Sequence, residues 1–500
     1  MGAGIMADRS EKSLAALGLR ARGGREARIA GLAIDSRAVR PGFLFAAFPG
    51  SRAHGAAFIP QALAGGAVAI LTDAEGAGIA AEALSASQAA LIVAEDPRAA
   101  FAGAAALWFA AQPATMAAVT GTNGKTSVAQ FTRQIWTLLG HQAASLGTTG
   151  VEGACQAPLA HTTPDALTLH RLLAEMAGAG VSHAVMEASS HGLAQSRLDG
   201  VVLRAAGFTN FTQDHLDYHE TFESYFAAKA GLFGRVLPED GTTVVNIDDP
   251  KGASVAAIAK ARGQQVLTVG SDAAADLRIA AQRFDATGQE VRLDWQGRAR
   301  QVRLGLIGGF QAHNVALAAG LAIACGDEPG QVFDTLPDLV GVRGRMQLAA
   351  RRANGAAVFV DYAHTPDAIA TALKALRPHV MGRIVIVFGA GGDRDRGKRP
   401  LMGAAAAEHA DVAYVTDDNP RSEVPALIRA EILKACPDAI EVGDRAEAIL
   451  RGVDALEPGD ALLIAGKGHE TGQIVGDDVF PFDDAEQASV AVAALDGRLA

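Results

Sequence analysis

Met116-Ala117-Ala118-Val119-Thr120-Gly121-Thr122-Asn123-Gly124-Lys125-Thr126-Ser127 decides how this chain is read. A short apolar segment, Met116 to Val119, runs into a glycine turn, and a helical-looking run, Ser127 to Leu139, follows. A turn of this kind between strand and helix suits phosphate. Its glycines let backbone N–H groups crowd an anion, and the helix N-terminus adds a favourable dipole. Lys125 can reach the outer phosphates and the Thr126 hydroxyl can sit on Mg²⁺. Gly121, Thr122, Asn123, Gly124, Lys125, Thr126 and Ser127 are therefore the expected contacts to ATP or GTP. The loop departs from the common G-x-x-x-x-G-K-[ST] form, which needs glycine where this chain has Val119.

Five hundred residues suggest about three domains. With 49% apolar and 20% charged residues, large cores can be buried. A net charge of −11 argues against sequence-independent nucleic-acid binding, which needs a basic face. The three cysteines, Cys155, Cys325 and Cys436, lack metal or disulfide spacing and read as buried small apolar residues in a reducing compartment. Met1 to Arg20 has no signal-peptide core. The longest apolar run, Ala99 to Ala111, falls short of the roughly 20 residues a membrane span needs. A soluble cytoplasmic protein, acting as a monomer, is expected.

Strand-like runs alternate with alanine-rich helical runs, which implies α/β layers with largely parallel sheets. Expected strands include Gly31 to Ile34, Leu44 to Ala47, Ala67 to Leu71 and Ala90 to Ala94. Further along come Ala184 to Met186, Ala205 to Phe208 and Thr243 to Asn246. Leu277 to Leu304 alternates like a β-meander. After a break near Pro337 to Gly344, a last α/β unit has strands at Ala357 to Val360, Ile384 to Phe388, Val412 to Val415 and Ala461 to Ile464.

In open α/β sheets, ligands bind beyond the carboxyl ends of strands. The last unit puts its unusual polar residues there: Asp361 to Asp367, Gly389 to Lys398, Asp417 to Arg421 and Gly466 to Glu470. Such a rim of mixed charge suits a zwitterion. In the middle unit, Glu187 follows a strand and can hold Mg²⁺ beside the phosphates. Phe208-Thr209-Asn210 leads to Gln213 through His219, where His215 could hold a second metal. Lys229, by itself, reads as a solvated helix lysine.

Together these motifs resemble the Mur ligases and their relative folylpolyglutamate synthase, and within the Mur ligases the diaminopimelate-adding branch. Seven blocks carry the likeness: Thr120 to Thr126, Glu187 to His191, Asp214 to His219, Asp361 to Asp367, Gly391 to Pro400, Asp417 to Arg421 and Lys467 to Glu470. The resemblance implies an α/β protein of three domains: a smaller N-terminal UDP-binding domain over 1–110, a central P-loop ATPase-like domain over 111–340 and a C-terminal Rossmann-like, amino-acid-binding domain over 341–500. It implies an ATP- and Mg²⁺-dependent ligase that joins meso-diaminopimelate to UDP-N-acetylmuramoyl-L-alanyl-D-glutamate, without nucleic acid and without membrane insertion. The lysine-adding ligase of the same family is the alternative.

By the same resemblance, Ile34, Ser36, Ser51, Arg52 and Ala53 contact the UDP moiety, and Thr162, Thr163, Ser189, Gln195 and Arg197 contact the muramoyl-dipeptide. Lys229 is the carbamylated lysine and joins Thr126, Glu187 and His215 in holding metal. Lys125, Glu187, His215 and Lys229 are the catalytic set. Asn314 lies on the adenine side, and Arg345 reaches ATP when the domains close. Arg394, Asp418, Asn419, Pro420, Arg421, Gly466 and Glu470 bind the incoming amino acid. His161 stands where the family often has asparagine and is unassigned. Ser127 replaces a common threonine, and Ala390 a frequent cysteine.

Overall fold

The computed structural model describes residues 11–50, 53–212 and 221–497. The chain forms two compact units, one of residues 1–268 with 317–329 and the other of 269–316 with 330–500.

After a short antiparallel pair, Lys12–Ser13 with Arg28–Ile29, the first unit has four parallel strands, Gly31–Ala33, Phe43–Ala46, Ala69–Thr72 and Ala90–Val93, paired in that order. The apolar run that is too short for a membrane is the helix Pro97–Phe109, capped by Asp96 and packed through Phe101, Ala105 and Trp108. No described helix is long and apolar enough to cross a membrane.

A second sheet in this unit runs Thr242–Asn246, Ala205–Phe208, Thr115–Thr120, His183–Glu187, Ala143–Gly147 and Gly150–Gly153. All are parallel except the last, which closes a hairpin. Thr115–Thr120 is central. Its register pairs Val119 with Glu187 on one side and Thr120 with Phe208 on the other. The two neighbouring strands therefore deliver their carboxyl ends to the phosphate loop, as a switch point in strand order requires. The helix after the loop starts at Lys125 rather than Ser127, because Gly124 takes the left-handed conformation (φ 83°) and turns the chain into it. Lys125 and Thr126 thus lie in the first turn, where backbone N–H groups lack helical acceptors.

In the second unit the meander is three antiparallel strands, Leu277–Asp285, Gly288–Trp295 and Arg298–Leu304. A six-stranded sheet follows in the order Gln347–Arg351, Ala357–Asp361, Ala461–Ala465, Ile384–Phe388, Val412–Val415 and Ile440–Glu441. Only the first is antiparallel. The four strand ends singled out from the sequence thus share one edge. The α/β class with largely parallel sheets is as expected. One reading needs correction: only Cys436 is buried, while Cys155 and Cys325 are half-buried. Both sit just past the end of an element, where packing covers one side.

Candidate active site

The phosphate loop is held rigidly from beneath. The backbone N–H of Thr122 donates to the Asn210 carbonyl at 2.9 Å, and that of Asn123 to Asn210 Oδ1 at 2.9 Å. Thr209 Oγ1 donates to the Asn123 carbonyl at 2.6 Å. Gly121 has φ 147°, and a Cβ there would lie 1.9 Å from Thr209 Oγ1, so only glycine fits. Lys125 Nζ folds back onto the carbonyls of Gly121 and Thr122, at 3.0 and 2.8 Å. Thr126 and Ser127 are buried; Asn123 is exposed. Thr209 and Asn210 hold the loop although neither was expected as a site residue. Their position at a strand end was the available signal.

Glu187 is 1% exposed. Its carboxylate accepts from Thr126 Oγ1 at 3.0 Å, from the Thr148 N–H at 2.8 Å and from Thr148 Oγ1 at 3.3 Å. A Cβ on Gly147 would come within 2.0 Å of Glu187 Oε1, so the glycine is what lets the carboxylate in. A buried carboxylate touching a hydroxyl at the edge of a phosphate loop is the hard oxygen chemistry that Mg²⁺ prefers. The residues present therefore fit that ion, although the described residues contain no cluster of three or more His, Cys, Asp or Glu that could hold a metal. His215 lies outside the described residues, as do Ser51 and Arg52.

Lys229 overturns its plain reading as a solvated residue: it is 1% exposed. It lies in the last turn of the helix Phe222–Gly231. Its Nζ donates to the Gly121 carbonyl at 2.7 Å and stands 4.5 Å from the centre of the Tyr225 ring. The helix sequence alone does not reveal which of its faces meets the loop.

The residues expected at the muramoyl-dipeptide form one connected group. Thr163 Oγ1 donates to the Glu187 carbonyl at 2.8 Å and accepts from the Ser189 N–H at 3.0 Å. Arg197 donates to the Thr163 carbonyl at 2.6 Å and to Gln195 Oε1 at 2.8 Å. Thr162 pairs with the Thr148 hydroxyl at 3.0 Å. His161 is exposed. In the four-stranded sheet region, Ser36 is buried and donates to Gln61 Oε1 at 2.8 Å, Ile34 is half-buried and Ala53 is exposed. Hydrogen bonding to Arg37 holds the Asp35 carboxyl down at about 2.

In the second unit, Asn314 is buried and donates to Gln311 Oε1 at 3.0 Å. The Arg345 guanidinium lies 4.7 Å from the Tyr362 ring centre. Asp361 accepts from the N–H groups of Met346 and Ala363, at 2.7 and 2.8 Å. Burial nonetheless pushes its carboxyl up, against the pull of Arg345 and those N–H groups.

The strand-end rim comes together. Asp418, Asn419 and Pro420 are buried, Arg421 is half-buried and Arg394 is exposed. Arg421 Nη1 donates to the Gly392 carbonyl at 2.9 Å. Gly466 has φ 117°, and a Cβ on it would meet Asp418 Oδ2 at 2.5 Å. Glu470 accepts from Asn419 Nδ2 at 2.9 Å. Burial raises the Tyr362 phenol above its ordinary range, with Glu470 and Asp418 adding to the rise and Arg345 and Arg394 opposing it. Tyr362 therefore stands within the field of this rim, where the sequence places the segment Asp361 to Asp367 without giving this residue a role. Its place just after a strand end pointed there.

Comparison with known proteins covers nearly the whole chain. The model described as Mur ligase family, catalytic domain, matches residues 28–109; Mur ligase middle domain matches 119–322; and Mur ligase, glutamate ligase domain, matches 344–468. A protein of Bradyrhizobium diazoefficiens, named UDP-N-acetylmuramoyl-L-alanyl-D-glutamate–2,6-diaminopimelate ligase, is 51% identical over 469 residues, 93% of this chain and 95% of its own. One of Caulobacter vibrioides with the same name is 49% identical, over 94% and 96%. A solved structure of a ligase of that name matches with a TM-score of 0.70 and 34% identity, over 94% of this chain and 95% of its own.

Proposed function

The chain belongs to the Mur ligase family, and from that premise we propose that it is an ATP-dependent amide ligase. It joins meso-diaminopimelate to the D-glutamate of UDP-N-acetylmuramoyl-L-alanyl-D-glutamate in peptidoglycan synthesis. The observation that carries the reading is the buried contact between Thr126 and Glu187 at the mouth of a phosphate loop, in a chain that shares most of its length with ligases of that name.

A carboxylate resists attack by an amine because its oxygen is a poor leaving group. Transfer of the ATP γ-phosphoryl to the D-glutamate side-chain carboxylate makes an acyl phosphate, with ADP released. The amine of diaminopimelate attacks that carbonyl carbon. The tetrahedral intermediate then collapses to amide and inorganic phosphate, and the amine loses a proton. The protein's part is positioning and charge neutralisation.

Lys125 swings from its own loop carbonyls to the moving phosphoryl, and the first-turn N–H groups cradle the phosphates. Thr126, Glu187, His215 and a carbamylated Lys229 are the residues that would hold Mg²⁺, which when bound neutralises charge on the phosphate oxygens. Carbamylation turns the Lys229 cation into an anion able to ligate. Asn314 and Arg345 serve the nucleotide. Ile34, Ser36, Ser51, Arg52 and Ala53 bind the UDP moiety, and Thr162, Thr163, Ser189, Gln195 and Arg197 the muramoyl-dipeptide. This division of labour assumes domain bounds of 1–110, 111–340 and 341–500.

Diaminopimelate differs from L-lysine by a second carboxylate on its distal carbon. Arg421 offers a planar fork for that group, and Glu470 takes the distal ammonium. Facing lysine, the fork would keep its contact to the Gly392 carbonyl but lose its charged partner, at a cost of about 1–3 kcal/mol.

Incubation of the protein with ATP, Mg²⁺, the UDP-muramoyl-dipeptide and diaminopimelate, followed by mass spectrometry, is expected to show the amide product. Phosphate release should require both co-substrates. The Lys125→Ala variant should retain UDP-substrate binding and lose turnover. Retained turnover in that variant refutes the role given to the loop, and phosphate release without the amino acid would refute the ligase.

A further inference from the structure

Lys467 is completely buried, and nothing in the proposed chemistry uses it. It sits two residues beyond the strand Ala461–Ala465. Its Nζ donates to Asn419 Oδ1 at 3.1 Å, to Glu470 Oε2 at 3.3 Å and to the Gly472 carbonyl at 2.5 Å. An ammonium has three N–H donors, so all are committed within the protein and none is left for a ligand.

Asn419 is committed through its oxygen and one of its two amide N–H groups. Its Oδ1 accepts from Lys467 and from the Ile474 N–H at 2.9 Å, and its Nδ2 donates to Glu470 Oε2 at 2.9 Å. Both bonds to Glu470 therefore land on Oε2. Oε1 receives no donor from the described residues and is left for a cation.

The Gly472 carbonyl begins a hairpin, Gly472–Val475 with Asp478–Pro481. This hairpin straps the segment that carries Arg421. Gln473 Nε2 donates to the Asp418 carbonyl at 2.7 Å. The Arg421 N–H donates to the Ile474 carbonyl at 3.1 Å, and the Gly476 N–H to the Arg421 carbonyl at 2.8 Å. Arg421 has φ 51°, in the left-handed region that non-glycine residues avoid. A backbone in that state persists only where its surroundings hold it, and here the strap does so.

We propose that Lys467 is a positioning residue for selection of the incoming amino acid. It fixes Glu470 directly and, through Asn419 and the hairpin, fixes the backbone from which Arg421 projects. A ligand with an ammonium and a distal carboxylate then meets partners already placed, which lowers the ordering cost of binding. This inference rests on the proposed function, since it assumes that Glu470 and Arg421 face the amino acid. It gives Asn419 a bracing role beside the ligand contact expected of it, since Nδ2 carries a second N–H.

Lys467→Met keeps the length and bulk of the stem and removes the charge. In steady-state assays it should raise KM for diaminopimelate by about tenfold or more, the loss expected for a charged hydrogen bond. KM for ATP and for the UDP-substrate should stay within about twofold, and preference for diaminopimelate over lysine should fall. Unchanged KM for the amino acid, or a loss shared equally by all three substrates, overturns the proposal. Should that variant fail to fold, Gln473→Ala removes the side-chain hydrogen bond to the Asp418 carbonyl from a half-exposed position. It should raise the same KM alone, and an unchanged value overturns the proposal equally. If the wild type uses a different amino acid, the proposed function fails while the positioning role is read on the KM of that amino acid.

Discussion

Lys229 Nζ donates a hydrogen bond to the carbonyl oxygen of Gly121 at 2.7 Å, across 108 residues of sequence. A lysine that is 1% exposed therefore stands directly behind the phosphate loop. Lys229→Met should lower kcat by about a hundredfold or more, the scale for loss of a preorganised charge at a reacting centre. Binding of the UDP-substrate should hardly change. Magnetic resonance with isotope-labelled bicarbonate should show a carbamate carbon in the wild type and none in the variant. An active wild type without that signal would remove the carbamate from the mechanism.

Arg421 should decide between amino acids. Arg421→Ala is expected to cost about 10- to 100-fold in kcat/KM for diaminopimelate, the value of a charged pair, and to leave the poor rate with lysine nearly unchanged. Competition between the two amino acids, read by product mass, measures the ratio. A variant that keeps the wild-type preference would move the selection elsewhere on the rim.

Arg445 and Asp484 form an ion pair with both side chains fully buried, at 2.8 and 2.7 Å in a two-pronged contact. Arg445 also donates to the Ala465 carbonyl at 3.0 Å, tying the helix Asp484–Leu495 to the strand end that leads to Gly466. Removing one partner strands the other charge in the interior. Arg445→Met should destabilise the protein by about 3–5 kcal/mol. A urea midpoint close to that of the wild type would contradict this account.

His469 should make stability depend on pH. Burial, with the nearby charges of Arg345 and Arg343 adding to it, lowers its imidazole to about 4. Its Nδ1 is buried without a hydrogen-bond partner among the described residues, so the neutral ring is the one that fits. Above pH 6.5 both folded and unfolded states hold it neutral. As pH falls from 6.5 towards 4 only the unfolded state takes up the proton, so stability drops over that window and levels off below it. The loss is about 3 kcal/mol at most. His469→Phe should flatten this part of the profile. An unchanged slope would assign the acid sensitivity to other groups.

The phosphate loop was legible because its signal is local. Strand, glycine turn and helix are neighbours in the chain, and Gly121, Gly124, Lys125 and Thr126 act through backbone conformation and reach. The strand ends of the second unit were legible for a related reason: apolar runs of four or five residues mark strands, and polar residues follow each at once. The helix start slipped by two residues because Gly124 was read as part of the turn and not as its cap.

The supports were not legible. Thr148 is an ordinary threonine until the parallel register brings its strand beside Glu187, and Thr209, though marked by its place at a strand end, shows its acceptor Asn123 only in the fold. Gly147 is one glycine among many until a carboxylate occupies the place of its side chain.

The order of residues by itself determined that this is a parallel α/β protein with a nucleotide loop and a mixed-charge rim, since period and turn chemistry act between near neighbours. Only the tertiary structure decided which cations lie inside. The chain around Lys229 and Lys467 gives no sign that their ammonium groups are buried, and each is. Their acceptors, Gly121 for one and Asn419 for the other, arrive from strand ends 108 and 48 residues away. Burial of an ammonium depends on finding such partners, and that pairing exists only once the sheets have formed.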